Sequence, residues 1–145
     1  MTNAPTNHAS AEATYPKDKI PAIRRLMMPR DTNALGTIFG GVILSEIDLA
    51  AAIEAHRWHP SKVVTVSMDK VEFKQPVFTG DLVSFFTETK RVGRSSITVH
   101  VSVWAERRFG GGSAVHVTEA DVTMVAVDDN FKPTPVLRPN GPSAS

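Results

Sequence analysis

An acid sits where a helix should be apolar. From Gly41 to Trp58 (GVILSEIDLAAAIEAHRW) alanine and leucine are abundant and neither proline nor a further glycine interrupts the run. The segment reads as one long helix, stopped by Pro60. At ~100° per residue, Glu46, Glu54 and Arg57 fall on one side, which should face water. Leu44, Ala51 and Ala55 fall opposite, with Gly41 and Ala52 beside them and Asp48 in their midst. A carboxylate in such a place costs free energy unless it is hydrogen-bonded or paired. It is then either a structural acid bonding a nearby backbone group, or a desolvated base with a pKa open to tuning.

The residues just upstream add a second chemical element. The loop from Asp31 delivers the chain through Gly40-Gly41 to the helix start. First-turn N–H groups have no internal acceptors and carry the positive end of the helix dipole. Glycines let a ligand approach them, so such a place can hold a developing oxyanion. The alternative is that the glycines only permit a tight turn. A Gly-Gly start with an acid seven residues on is a more specific combination than either feature alone.

A third cluster, Lys90-Arg-Val-Gly-Arg-Ser-Ser96, offers cations, hydroxyls and a glycine turn. Turn N–H groups can form an anion nest, and arginine matches phosphate geometry. On residues alone, an ordinary hairpin with solvated charges explains it equally. Arg107 and Arg108 read as a polar strand end. The five histidines form no site: His56 and His59 lack a third ligand, and His100 and His116 fall on strands. There is no cysteine, which removes thiolate nucleophiles, zinc–cysteine sites and disulfides. No G-x-S-x-G elbow or phosphate loop is present.

The elements that must position these groups are mostly strands. Lys62–Phe73, Asp81–Val92, Ser95–Glu106 and Val115–Val127 read as strands, and Ile20–Met28 as a short one before the helix. In the third, Ile97, Val99, Val101, Val103 and Ala105 alternate with polar residues, as a sheet with one buried face requires. Short connections make neighbours antiparallel. The order β-α-β-β-β-β is an α+β layer architecture, one helix against an antiparallel sheet. Residues 1–19 and 132–145, polar or proline-rich, read as disordered tails around a domain of 20–131.

The chain has 145 residues, with 16 basic and 15 acidic side chains. That balance argues against a nucleic-acid module. No apolar run is long enough to span a bilayer and no signal peptide is visible, so a cytoplasmic location is expected.

Asn33-x-x-Gly36-x-x-Phe39-Gly-Gly41 followed by Asp48 resembles the signature of hotdog-fold acyl-CoA thioesterases of the YciA type. The resemblance continues through Val63–Val66, Phe73-x-x-Pro76, Gly80-Asp81, Val92–Ile97, Val103-Trp104 and Val125–Asp128. It implies a hotdog fold, a long helix wrapped by an antiparallel sheet, and hydrolysis of acyl-CoA to a carboxylic acid and coenzyme A. It implies Asp48 as catalytic acid, either activating water or attacking the carbonyl. Asn33 would polarise the thioester or orient the loop, Gly40 and Gly41 would supply the oxyanion hole, and Thr65 would help position water. Arg91, Gly93, Arg94, Ser95 and Ser96 would contact coenzyme A. Thr37 is a variable position, and no polar role is assigned to it. No metal or cofactor is implied beyond coenzyme A itself, which belongs to substrate and product. The implied assembly is a hexamer, a trimer of dimers, with Asn33 and Asp48 of one site drawn from different chains. Two alternatives stay open. One is a non-catalytic acyl-CoA sensor. The other is a hydroxyacyl-thioester dehydratase, which usually needs a histidine that the helix N-terminal loop lacks.

Overall fold

A computed structural model describes residues 13–109 and 111–141. Strand β1 (Ile23–Leu26) is followed by a single 3₁₀ turn (Pro29–Asp31), then helix α1 (Gly40–Ala55). Four strands follow: β2 (Val63–Asp69), β3 (Leu82–Val92), β4 (Ser96–Glu106) and β5 (Ala114–Ala126). They form one antiparallel sheet in the order β1-β3-β4-β5-β2. The helix packs across it, chiefly on β3 and β4. The α+β order read from the sequence is thus the observed one. Ile97, Val99, Val101, Val103 and Ala105 are all fully buried, as their alternation requires.

The strand expected over 62–73 stops at Asp69. Lys70 takes φ 63°, a left-handed conformation that turns the chain out of the ladder. From there residues 70–81 cross the N-terminal end of α1. The turn that closes this crossing is held by Asp81, which is 3% exposed and accepts the Phe78 N–H. Arg107 donates to the Asp81 carboxylate and to the Pro76 carbonyl, with its guanidinium 4.8 Å from the centre of the Phe78 ring. Arg107 is therefore a half-buried clamp rather than a polar strand end.

The helix sits rotated from its expected setting. Its buried stripe is Ile43, Ile47, Ala50, Ala51, Glu54 and Ala55. Glu54, expected in water, is buried: Thr89 donates to it at 2.6 Å and Thr87 at 3.4 Å, with Arg57 beside it at 3.5 Å. The reason is that α1 is apolar nearly all round, so periodicity alone does not choose its inner face. The face it leaves uncovered carries Leu49 and Ile53, 55% and 50% exposed.

Parts of both expected tails are built into the fold. Tyr15 bonds Glu106 and packs edge-on against Phe86 and Trp104. At the other end, Val136 is 5% exposed, and Leu137 N–H donates to His59 Nδ1 at 3.2 Å. The boundary at 20–131 therefore widens to at least Tyr15–Gly141. Residues 1–12 and 142–145 lie outside the described residues.

His59 is 2% exposed, and burial, reinforced by His56, holds its pKa below the ordinary value. A lowered folded pKa means that the unfolded chain binds the extra proton first. The stability from a neutral His59 is present above about pH 6.5, the unfolded value, and is lost as pH falls toward the folded one. His116, also lowered mainly by burial, has the same sign. Thermal melts between pH 7 and pH 5 are expected to show a steeper loss of Tm for wild type than for His59→Asn. Equal slopes would remove His59 from the account.

Candidate active site

Asp48 lies beside the buried stripe of α1, about 100° round from Ile47, and is half-buried in the single chain. Thr65, on β2, donates its hydroxyl to Asp48 Oδ1 at 2.5 Å. Helix and strand thus fix one oxygen of the carboxylate. The geometry brings together two of the residues singled out in the sequence, although they stand 17 positions apart. Hydrogen bonds to charged groups contribute ~1.5–3 kcal/mol, so Thr65→Val is expected to lower kcat about tenfold with KM little changed. Steady-state kinetics with Thr65→Ser as the restoring variant checks this; an unaltered kcat would show that the contact does not aim the acid.

The helix starts without a side-chain cap. Phe39 is the N-cap residue in extended conformation, and only Val42 N–H folds back onto its carbonyl, at 3.0 Å. The N–H groups of Gly40 and Gly41 find no acceptor among the described residues. They are available to an oxyanion, at the positive end of the helix dipole. A Cβ at Gly41 would stand 2.7 Å from the exposed Phe39 ring, which would have to swing aside to admit it.

Asn33 spends its side chain on its own loop. Its Oδ1 accepts the Leu35 N–H at 2.8 Å and the Thr37 N–H at 3.2 Å, and its Nδ2 donates to Thr37 Oγ1 at 3.0 Å. Of the two roles open to it, orienting the loop is the one this geometry displays. Thr37, given no polar role from the sequence, is its partner. Asp31 completes the approach to the helix: buried, it pairs with Arg25 at 2.8 Å, and its carbonyl accepts the Phe39 N–H at 2.8 Å. The Asp31–Arg25–Glu46 network was not visible in the sequence, because its members come from three separate elements.

Asp48 and the Gly41 N–H do not meet within one chain. Seven residues at a rise of ~1.5 Å separate them by about 10 Å along the helix axis. A base and an oxyanion donor acting on one carbonyl must each come within about 3 Å of it. Beside Gly40 lies a cavity of ≈ 260 Å³, walled by Ile38, Ile43, Phe73 and Val77.

The basic cluster forms the β3–β4 hairpin turn. Gly93 N–H donates to the Ser96 carbonyl at 2.7 Å, and the Ser95 carbonyl accepts from Ala126 at 2.7 Å. Arg91 and Arg94 are exposed, and neither forms an ion pair among the described residues. The hairpin lies at the far end of the helix from Gly40, so it joins neither the cavity nor the glycines of its own chain. Among the described residues no group of three or more His, Asp or Glu side chains is placed to hold a metal, and no helix is long and apolar enough to cross a membrane.

The family model of the thioesterase superfamily matches residues 35–108. An uncharacterized acyl-CoA thioester hydrolase of Haemophilus influenzae is 41% identical over 81% of this chain and 78% of its own length. Among solved structures, a hexameric hotdog-fold thioesterase of Campylobacter jejuni is 49% identical, with a TM-score of 0.76 over 80% of this chain and 89% of its own. A hexameric broad-specificity acyl-coenzyme A thioesterase superposes with a TM-score of 0.79 at 40% identity, covering 84% of each chain. The long helix on its antiparallel sheet, the uncapped glycine start and the extent of these matches agree: this chain is a hotdog-fold member of the thioesterase superfamily.

Proposed function

We propose that this protein hydrolyses acyl-CoA thioesters to a carboxylic acid and free coenzyme A, in a site built from two chains. The observation that carries the reading is the Asp48–Thr65 pair, an oriented carboxylate on the helix flank that its own sheet leaves uncovered. Relatives at about 40% identity bear the name of this activity.

A second chain supplies what one lacks. The outer edge of β2 is unpaired among the described residues, and Val66 on it is 57% exposed. Leu49 and Ile53 on α1 are exposed as well, 55% and 50%, so both the helix flank and the strand edge present apolar side chains to a partner. A two-fold partner continuing the sheet at β2 sets the helices side by side and antiparallel, which brings Asp48 to the partner's Gly41. Three such dimers make the hexamer that the relatives form.

In this arrangement the thioester carbonyl oxygen points at the N–H groups of Gly40 and Gly41, with the acyl chain in the cavity walled by Phe73. The free oxygen of Asp48 takes a proton from water as the water oxygen bonds to the carbonyl carbon. The tetrahedral oxyanion collapses, the C–S bond breaks, and the thiolate leaves and takes up a proton. A thiolate is a good leaving group, so the reaction requires neither metal nor cofactor. Attack by Asp48 itself leads to the same products. Direct attack would pass through a mixed anhydride that water then opens, and single-turnover hydrolysis in ¹⁸O-water detects it: label found in Asp48 and absent from the acid product identifies direct attack with opening at the Asp48 carbonyl. The phosphates lie against Arg91, Gly93, Arg94, Ser95 and Ser96, and a cytoplasmic location belongs to this reading.

The test is thiol release from acyl-CoA substrates of increasing chain length, with light scattering on the same sample. Release from at least one chain-length class by a hexamer is expected. No release from any, or a stable monomer at working concentration, would overturn the proposal.

A further inference from the structure

Residues 133–141 play no part in the chemistry above, yet they are tied into the fold at several points. Thr134 N–H donates to Ala126 at 2.9 Å, Val136 N–H to the Arg94 carbonyl at 2.8 Å and Arg138 N–H to the Trp58 carbonyl at 2.9 Å. Leu137 is held by His59, and the Trp58 ring lies against Gly141, where a Cβ would come within 3.1 Å. Trp58 in turn donates through its indole N–H to Thr89 on β3, at 2.9 Å. The segment is a strap joining the end of α1 to the β3–β4 hairpin.

The strap sets Arg138 at the same end of the molecule as Arg94. Arg138 is exposed and forms no ion pair among the described residues, and the same holds for Arg94. By contrast, Arg25 and Arg107 are committed to carboxylates within the fold. One Arg138 nitrogen lies 3.5 Å from the Arg57 carbonyl at the helix end, where the dipole favours a cation. A guanidinium has five N–H donors, so most of its capacity is unspent. Two uncommitted arginines, carried by segments that bond to each other, match a phosphate group better than one flexible side chain does.

We propose that Arg138 binds the nucleotide phosphates of coenzyme A together with Arg94, so that the C-terminal strap is part of the substrate site. This rests on the acyl-CoA reading above. The competing role is structural, a cation that only caps the helix.

The two roles separate in kinetics. Arg138→Ala is expected to raise KM for an acyl-CoA, and Kd for coenzyme A in calorimetry, about tenfold or more, with kcat unchanged. The same acyl group on pantetheine, which lacks the phosphates, should show equal KM in wild type and variant. Arg138→Lys should restore part of the affinity, and added salt should weaken wild-type binding more than that of Arg138→Ala. An unchanged KM and Kd, or a loss shared with the pantetheine thioester, would overturn the proposal; a lowered Tm alone would leave only the cap. If wild type binds coenzyme A but releases no thiol from any acyl-CoA, the hydrolase reading fails, while the Kd comparison still decides the role of Arg138. A wild type that binds no coenzyme A overturns both.

Discussion

Asp48→Asn is expected to lower kcat for acyl-CoA hydrolysis by about three orders of magnitude, within the ~10²–10⁴-fold range of a positioned acid–base group. The substitution keeps the shape of the side chain and an oxygen able to accept the Thr65 hydroxyl. What it removes is the second anionic oxygen, needed equally for drawing a proton from water and for attacking carbon. Binding draws on the hairpin and strap at the other end of α1, so Kd for coenzyme A should change by less than about threefold. A loss in kcat with binding retained places Asp48 at the reacting carbon and excludes a sensor that merely holds acyl-CoA. A parallel loss of binding and melting temperature would mean instead that Asp48 supports the helix.

Glu54→Ala should have the largest effect on stability among single polar substitutions. Its carboxylate is buried between α1 and β3 and accepts from Thr87 and Thr89, while Thr89 accepts from the Trp58 indole. Deleting the acid leaves buried hydroxyls without their acceptor and opens a cavity. Each buried hydroxyl left without its acceptor costs ~1–3 kcal/mol, so the two together cost a few kcal/mol. Arg57 is 59% exposed at its side chain, so its ion pair adds little to this. At a few degrees per kcal/mol for a domain of this size, Tm should fall on the order of 10 °C. Glu54→Gln, which can still accept from Thr89, should recover more than half of that. A shift under about 2 °C for Glu54→Ala would show that the network contributes little beyond specificity of packing. Because Trp58 also touches the strap, the same variant should loosen residues 133–141, visible as faster amide exchange at Val136 and Arg138.

The strands were legible because alternation is a direct consequence of one buried face, and β4 shows it from Ser96 to Val103, until the register shift that buries Trp104 as well. The helix was legible as an element but not in its rotation. Leu44, Leu49 and Ile53 are as apolar as Ile43 and Ile47, and only the sheet beneath decides which of them is covered. Glu54 and Arg107 were misplaced for a related reason. A charged side chain is read as solvated until its partners are known, and those partners, Thr89 on β3 and Asp81 before it, are distant in the chain. At the site, Asp48 stood out because its type conflicted with its apolar neighbours. Its bond to Thr65 depended on how β2 lies along the helix, which the family resemblance suggested and the fold displays. In sequence the strap reads as a tail because its proline-rich run shows neither apolar period, although Val136 reaches into the core.

Thiol release from one acyl-CoA that wild type hydrolyses, followed for wild type and Asp48→Asn over the same substrate range, tests the central claim most directly. The two-chain site with Asp48 as its acid predicts steady turnover by wild type and about a thousandfold lower kcat in the variant at similar coenzyme A affinity. Equal turnover by the two proteins would contradict it.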